Sequence, residues 1–194
     1  EHAPSRRYAL VIGADGLHSA TRRLAFGPEP RYVSHLGMYV ATTPVDGDLV
    51  DDRREAVMYN APGRAVAIHP SRDRALAFFA FRHDELRDLD PRDTDEHKRL
   101  LTAAFADDGW RVPELLARVR TADDLYFDSV SQVRLDRWST GRVALLGDAA
   151  SCVSLFGEGS SLAMAGAYTL AEELAASPAR PAAAVLRYEM RHRR

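Results

Sequence analysis

The chain has 194 residues, 46% hydrophobic and 28% charged, with a formal net charge of -2. This is the composition of one to one and a half folded domains and excludes a disordered chain. No apolar run approaches the roughly 18–20 residues of a membrane span, the charge gives no reason to expect nucleic acid or an anionic membrane as partner, and the lone Cys152 excludes an internal disulfide.

Tyr8–Ile12 is a short apolar run ending in Gly13-Ala-Asp15-Gly16, which predicts a strand buried on both faces of a parallel sheet, followed by a tight turn. Ser19 is placed to cap a short helix through Leu24, which Pro28 stops. From Arg31 to Arg82 the rhythm becomes that of β-strands at hairpin spacing. Tyr32-Val33 and Gly37–Thr43 form the first runs. Ala56–Tyr59 and Ala65–Ile68 flank Asn60-Ala-Pro-Gly63, and Leu76–Phe81 follows Pro70–Asp73. An antiparallel meander is expected there. Leu100, Leu101, Ala104 and Phe105 share one helical face, Pro113–Val119 reads as a second helix, and Leu125–Val130 returns to strand. Arg142–Leu146 is another buried strand, ending in Gly147-Asp148-Ala-Ala. A long helix is expected over 160–174 and a last one from about Ala182, whose arginines at 187–194 read as a solvated face.

The chain thus starts in an α/β layer, leaves it for an antiparallel sheet and returns. The predicted class is α/β with an inserted antiparallel sheet.

Two turns attract chemical interest. Asp15 and Asp148 each follow an apolar strand and precede a helix N-terminus. A carboxylate there can accept hydrogen bonds from sugar hydroxyls, while the free helix amides favour an anion. An ordinary strand-to-helix turn explains the first equally well. Gly157-x-Gly159-x-x-Leu162 is not the dinucleotide fingerprint: its third glycine is missing, and it lies some ten residues past the strand. No G-x-G-x-x-G occurs anywhere in the chain. The histidines show no metal-ligand spacing, no G-x-S-x-G occurs, and Cys152 reads as a small buried side chain.

Taken together, the stretch LVIGADGLHSATRR (10–23) and the stretch GRVALLGDAASCVSLFGEGSSLAMAGAYTLAEEL (141–174) resemble two motifs of the single-component FAD-dependent aromatic hydroxylases, the para-hydroxybenzoate hydroxylase-like family. That family's third motif, an amino-terminal G-x-G-x-x-G, is absent. Where many relatives have a proline-containing loop this chain has Ser151–Ser154. The resemblance implies a carboxyl-side piece of a flavin-dependent NAD(P)H monooxygenase, inactive alone, that hydroxylates an aromatic or polyketide-like molecule with O2 through a flavin C4a-hydroperoxide.

It implies FAD as cofactor and NADPH or NADH as reductant, held by a doubly wound FAD-binding domain (1–27 and 134–194) beside a substrate domain of mixed α+β type (28–133). Asp148 matches the aspartate on the ribityl chain of FAD. Gly147 lies in the same motif, and Gly157, Gly159 and Ser160 match the turn facing the flavin pyrimidine edge. Asp15 and Gly16 match a motif serving FAD and the nicotinamide cofactor, with Ser19 and Arg22 in the same stretch and Arg22 as a cofactor contact or a structural anchor. Tyr39, Tyr59, His69, Phe79 and Phe81 are candidates to face a substrate, although alternation sends about half of any strand to the core side. A cytoplasmic protein is expected, with a homodimer as one reading of its oligomeric state. A non-catalytic remnant of the fold and a related flavin-dependent reductase are the competing readings.

Overall fold

The protein is described by a computed structural model covering residues 6–46, 55–70, 74–86, 89–153, 155 and 158–193. The chain divides into two units, Glu1–Ser34 with Ser131–Arg194, and His35–Val130.

In the first unit, strand β1 (Val11–Gly13) pairs in parallel with β8 (Val143–Leu145), Val11 opposite Val143 and Gly13 opposite Leu145. A short β7 (Ser139–Thr140), which no apolar run announces, pairs antiparallel with β8. The sheet order is β1-β8-β7. The expectation of a strand buried on both faces is corrected here. β1 lies at the edge of this three-stranded sheet, and Val11 and Ile12 are 42% and 41% exposed. Helix α1 (Ala20–Ala25) follows β1 at such close range that a Cβ on Gly13 would stand 2.7 Å from Thr21 Cβ. Helices α4 (Gly159–Ala176) and α5 (Pro181–His192) pack on each other and complete the unit. Its core gathers Leu145, Ala149, Leu170, Val185 and Tyr188 around Trp138.

The second unit is built on a meander. β2 (Val33–Val45), β3 (Val57–Ala61), β4 (Arg64–Pro70), β5 (Ala75–Arg82) and β6 (Tyr126–Val133) lie in the order β3-β4-β5-β2-β6. The two runs expected around Tyr32 and Gly37 are one 13-residue strand. The β3–β4 turn closes through Gly63 at φ +77°, a conformation glycine adopts without a side-chain penalty. Most of the predicted turn at Pro70–Asp73 lies outside the described residues.

Helices α2 (Thr94–Ala104) and α3 (Val112–Thr121) cover one face of this sheet. Asp93 caps α2 by accepting from the Glu96 amide at 3.0 Å. Their Leu101, Leu115 and Val119, with Phe105 just past α2, bury against Val66, Ile68, Phe79 and Phe81. Phe79 and Phe105 meet edge to face, 5.4 Å between ring centres. Each such side chain contributes about 1.5–3 kcal/mol through removal from water.

Candidate cofactor site

The first turn is closed on itself. Asp15 Oδ1 accepts the Ser19 hydroxyl at 2.5 Å, and Oδ2 accepts the Thr21 amide at 2.9 Å and the Thr21 hydroxyl at 3.0 Å. Ser19 in turn accepts the Arg22 amide at 2.9 Å, the N-cap bond that its position predicts. Desolvation pushes the Asp15 carboxyl up, but the hydrogen bonds from Ser19 and Thr21 outweigh it and hold the group below the ordinary aspartate range. Gly16 supplies the left-handed residue, φ +79°. Both oxygens of Asp15 therefore serve the start of α1.

Arg22 and Ser19 are fully buried. Arg22 Nη1 donates to the Ala149 carbonyl at 3.1 Å, and Nη2 donates to the Leu17 carbonyl at 2.5 Å and approaches Glu29 at 3.4 Å. Burial lowers the pKa of this guanidinium against the pull of Glu29 and Asp15. Arg22 is thus a clamp from the first turn onto the second.

The second turn is open. β8 leads into Gly147, φ +62°, and a single 3-10 turn over Gly147–Ala149, closed by the Ala150 and Ser151 amides on the Gly147 carbonyl. Asp148 is exposed, and its carboxylate makes no hydrogen bond or ion pair with the described residues. A Cβ on Gly159 would stand 3.8 Å from Asp148 Oδ1, so this carboxylate faces the first turn of α4. That turn has no side-chain cap and no acidic residue. An 18-residue helix thus presents free amides and its positive end next to an unengaged carboxylate. Ser160 is exposed in the same turn, whereas Gly157 lies outside the described residues. A cleft of about 260 Å3 opens alongside, between Gly147, Ser151, Gly159 and Ala163 and the rings of Trp138 and Tyr188. The arrangement can accept hydroxyl donors at Asp148 and hold an electron-rich ring edge at the α4 amides. That is the demand of a flavin's ribityl chain and pyrimidine edge, and the residues present fit it.

The structure separates the five aromatic and histidine candidates. Tyr39, Phe79 and Phe81 are 3%, 0% and 2% exposed, in the core beneath α2 and α3. They present no surface to a ligand. Strand alternation predicts that such residues share a face, and the helices cover that face. The opposite face carries Met38, Val40, Phe78, Ala80 and Val130. Tyr59 is half-buried, stacked on Trp110 at 6.0 Å, and donates to Asp108 at 3.1 Å. His69 is exposed on β4.

Sequence reasoning missed the buried side of α5. The arginines at 187, 191 and 193 are half-buried or exposed, but on the other side of the helix Tyr188 is fully buried and its hydroxyl donates to the Leu145 carbonyl at 3.1 Å. Burial, then the charge of Glu189, push that phenol up to about 12. Glu189 accepts the Ser139 hydroxyl at 2.6 Å. Arg187 and Arg191 reach Glu173 of α4 at 2.5 and 2.7 Å. The signal was present: Ala184, Val185, Tyr188 and Glu189 repeat at i, i+1, i+4, i+5, the period of a buried helix face.

A family profile described as the FAD binding domain matches residues 7–193. The chain is similar to the uncharacterised protein Rv1260 of Mycobacterium tuberculosis, 46% identical over 180 residues, 91% of this chain and 48% of that protein. It is similar to a flavin-dependent monooxygenase of Legionella longbeachae, 40% identical over 171 residues, 87% of this chain and 43% of that one. Among solved structures, tetracycline destructase Tet(51) superposes with a TM-score of 0.86 at 35% identity, over 96% of this chain and 51% of that one. Klebsiella pneumoniae HpxO complexed with FAD and uric acid gives 0.69 at 26% identity, over 94% of this chain and 46% of that one. The chain spans about half the length of the curated relatives it matches.

Proposed function

The chain belongs to the FAD binding domain family, and on that premise we propose that it forms part of a flavin-dependent monooxygenase that hydroxylates a flat aromatic or polyketide-like molecule, with NADPH or NADH as reductant and O2 as oxidant. One observation carries the reading: the Asp148 carboxylate stands unengaged beside the uncapped start of α4. Such a pair serves a ligand that offers hydroxyl donors and, a short distance away, an electron-rich edge. When bound, FAD supplies the redox and oxygen chemistry. Asp148 holds its hydroxyl chain, and the amides of the first turn of α4, with Gly159 and Ser160, face its ring edge and favour negative charge there. Gly147 keeps the backbone clear where the chain turns, and Arg22 fixes the second turn from behind through the Ala149 carbonyl. No acid–base triad is required of the protein, whose task is to orient the ring and exclude water.

The likeness to tetracycline destructase and to HpxO with uric acid supports flat ring systems as substrates. The unit His35–Val130 is assigned to substrate binding, and the remainder to a doubly wound FAD-binding domain.

The test uses the full-length protein. One charge-assisted hydrogen bond is worth about 1.5–3 kcal/mol, so Asp148→Ala should weaken FAD retention about ten- to hundredfold and leave the melting temperature of the flavin-free form unchanged. Asp148→Asn, which still accepts one bond, should cost less. Flavin occupancy equal to wild type in both variants refutes the assignment.

A further inference from the structure

The candidate cofactor site has two halves, the turn carrying Asp148 and the first turn of α4, and its geometry depends on how they are held together. Gly147, at φ +62°, leads straight from β8 into the turn, so the end of β8 sets where Asp148 stands. There the Leu145 amide donates to the Trp138 carbonyl at 2.8 Å and the Leu146 amide to the Gly13 carbonyl at 2.9 Å. The Leu145 carbonyl, in turn, accepts the Tyr188 hydroxyl at 3.1 Å. That bond comes from α5, 43 residues along the chain, and not from the sheet.

The same face of α5 also seats on α4. Tyr188 and His192 are one helical turn apart, with rings inclined at 16° and centres 5.9 Å apart. His192 lies so close to α4 that a Cβ on Gly166 would stand 2.9 Å from its Nε2. The Asp148 turn itself closes on α4, where a Cβ on Gly147 would stand 3.3 Å from Ala163 Cβ. Tyr188 and His192 both line the cleft beside Gly147 and Gly159. One face of α5 thus bridges the end of β8 and the body of α4. Tyr188 is fully buried, and packed surroundings transmit a displacement rather than absorb it. A phenylalanine in its place keeps the packing and loses only the bond.

We propose that Tyr188 is a positioning residue of the cofactor site: its hydroxyl, together with the His192 contact one turn on, fixes the distance between the Asp148 carboxylate and the first turn of α4. The proposal rests on the flavin reading of that site.

The test is a double-mutant cycle on FAD binding by the full-length protein. Wild type, Tyr188→Phe, Asp148→Ala and the double variant are prepared without flavin and titrated with FAD, followed by fluorescence. Tyr188→Phe should weaken FAD binding about two- to tenfold, the worth of one neutral hydrogen bond. In the Asp148→Ala background the same change should cost less than about twofold, since the carboxylate it positions is gone.

A role confined to stability predicts a lower melting temperature of the flavin-free protein, with FAD binding either unchanged or weakened by the same factor in both backgrounds. Either binding result overturns the proposal and leaves the flavin reading standing. FAD binding that Asp148→Ala does not weaken refutes the flavin reading, and the proposal with it. Should Tyr188→Phe not fold, the same cycle is run with His192→Ala, which empties the seat over Gly166 and keeps the Tyr188 bond. A loss of affinity that vanishes in the Asp148→Ala background then supports the proposal, and an equal loss in both backgrounds, or none, overturns it.

Discussion

Asp15 and Asp148 lie at the ends of adjacent strands in nearly the same local sequence, Gly-Ala-Asp-Gly and Gly-Asp-Ala-Ala, yet their carboxylates are used differently. Ser19 and Thr21 engage both oxygens of Asp15, while Asp148 is left open to the start of α4. The distance to the next helix makes the difference: α1 begins five residues after Asp15, so Ser19 and Thr21 at its start fold back onto the carboxylate, whereas α4 begins only eleven residues after Asp148. Because the folded pKa of Asp15 is depressed, its contribution is present above the ordinary aspartate range and is lost as pH falls through the folded value. Asp15→Asn should therefore melt below wild type at pH 7, and the gap should shrink on acidification below about pH 4, as read by calorimetric melts across pH. Ser19→Ala removes a helix cap and should cost about 0.5–2 kcal/mol by urea titration. Gly13→Ala drives a Cβ into Thr21 on a packed helix, and overpacking of this kind costs about 1–3 kcal/mol. The same titration reads it, and a stability equal to wild type would show that α1 can retreat from β1.

At the scale of elements, α4 and α5 are joined by a polar seam. Glu173 accepts from Arg187 and Arg191, and those bonds, Arg191 first, hold its carboxyl below the ordinary glutamate range. Tyr188 anchors α5 to the carbonyl of Leu145 at the end of β8. Tyr188→Phe leaves that carbonyl without its buried donor and should cost about 1 kcal/mol. A second check is amide exchange, which should quicken in α5 before it does in α2 or α3. The helices and most strands were legible from periodicity, caps and glycines: the Ser19 cap, the α2 stripe and the Gly63 turn all stand where residue chemistry puts them. β7 was not, because two residues carry no period. The buried face of α5 shows in the spacing of Ala184, Val185, Tyr188 and Glu189, but the partners of its polar members, Leu145 and Ser139, are distant in sequence and do not. For Tyr39, Phe79 and Phe81, alternation indicates which residues share a face, but not which face the helices will cover. At the candidate site, Asp148, Gly147 and Gly159 were legible from the turn that contains them. The bonding of Asp15 to Ser19 and Thr21 and the anchoring of Arg22 on Ala149 depend on side-chain directions that spacing alone does not determine.

At the scale of the molecule, one unit is a continuous stretch, His35–Val130, and the other is assembled from both sides of it. The described residues form a candidate cradle for a flavin's ribityl and ring portions, and the sequence contains no G-x-G-x-x-G for its pyrophosphate. This chain alone should therefore bind FAD weakly, with no stoichiometric binding below micromolar concentration when flavin fluorescence is followed in a titration. Tight binding would relocate the adenosine half to a site on the present surface.

The split unit has a consequence for how the protein is made. Arg22 and the Ala149 carbonyl it clamps are 127 residues apart in sequence. A ribosome adding 5–20 residues per second leaves α1 and β1 waiting about 6–25 s before their partners emerge. During that interval the intervening meander, whose strands β3, β4 and β5 pair with one another, can collapse first. The parallel strand pair then closes a long loop, which is slow because the ends must find each other before any contact rewards them. Refolding should accordingly be biphasic, with tyrosine and tryptophan signals from Tyr59 and Trp110 recovering ahead of those from Trp138. The vulnerable species during synthesis is a chain whose β1, with Val11 and Ile12, has not yet met β8.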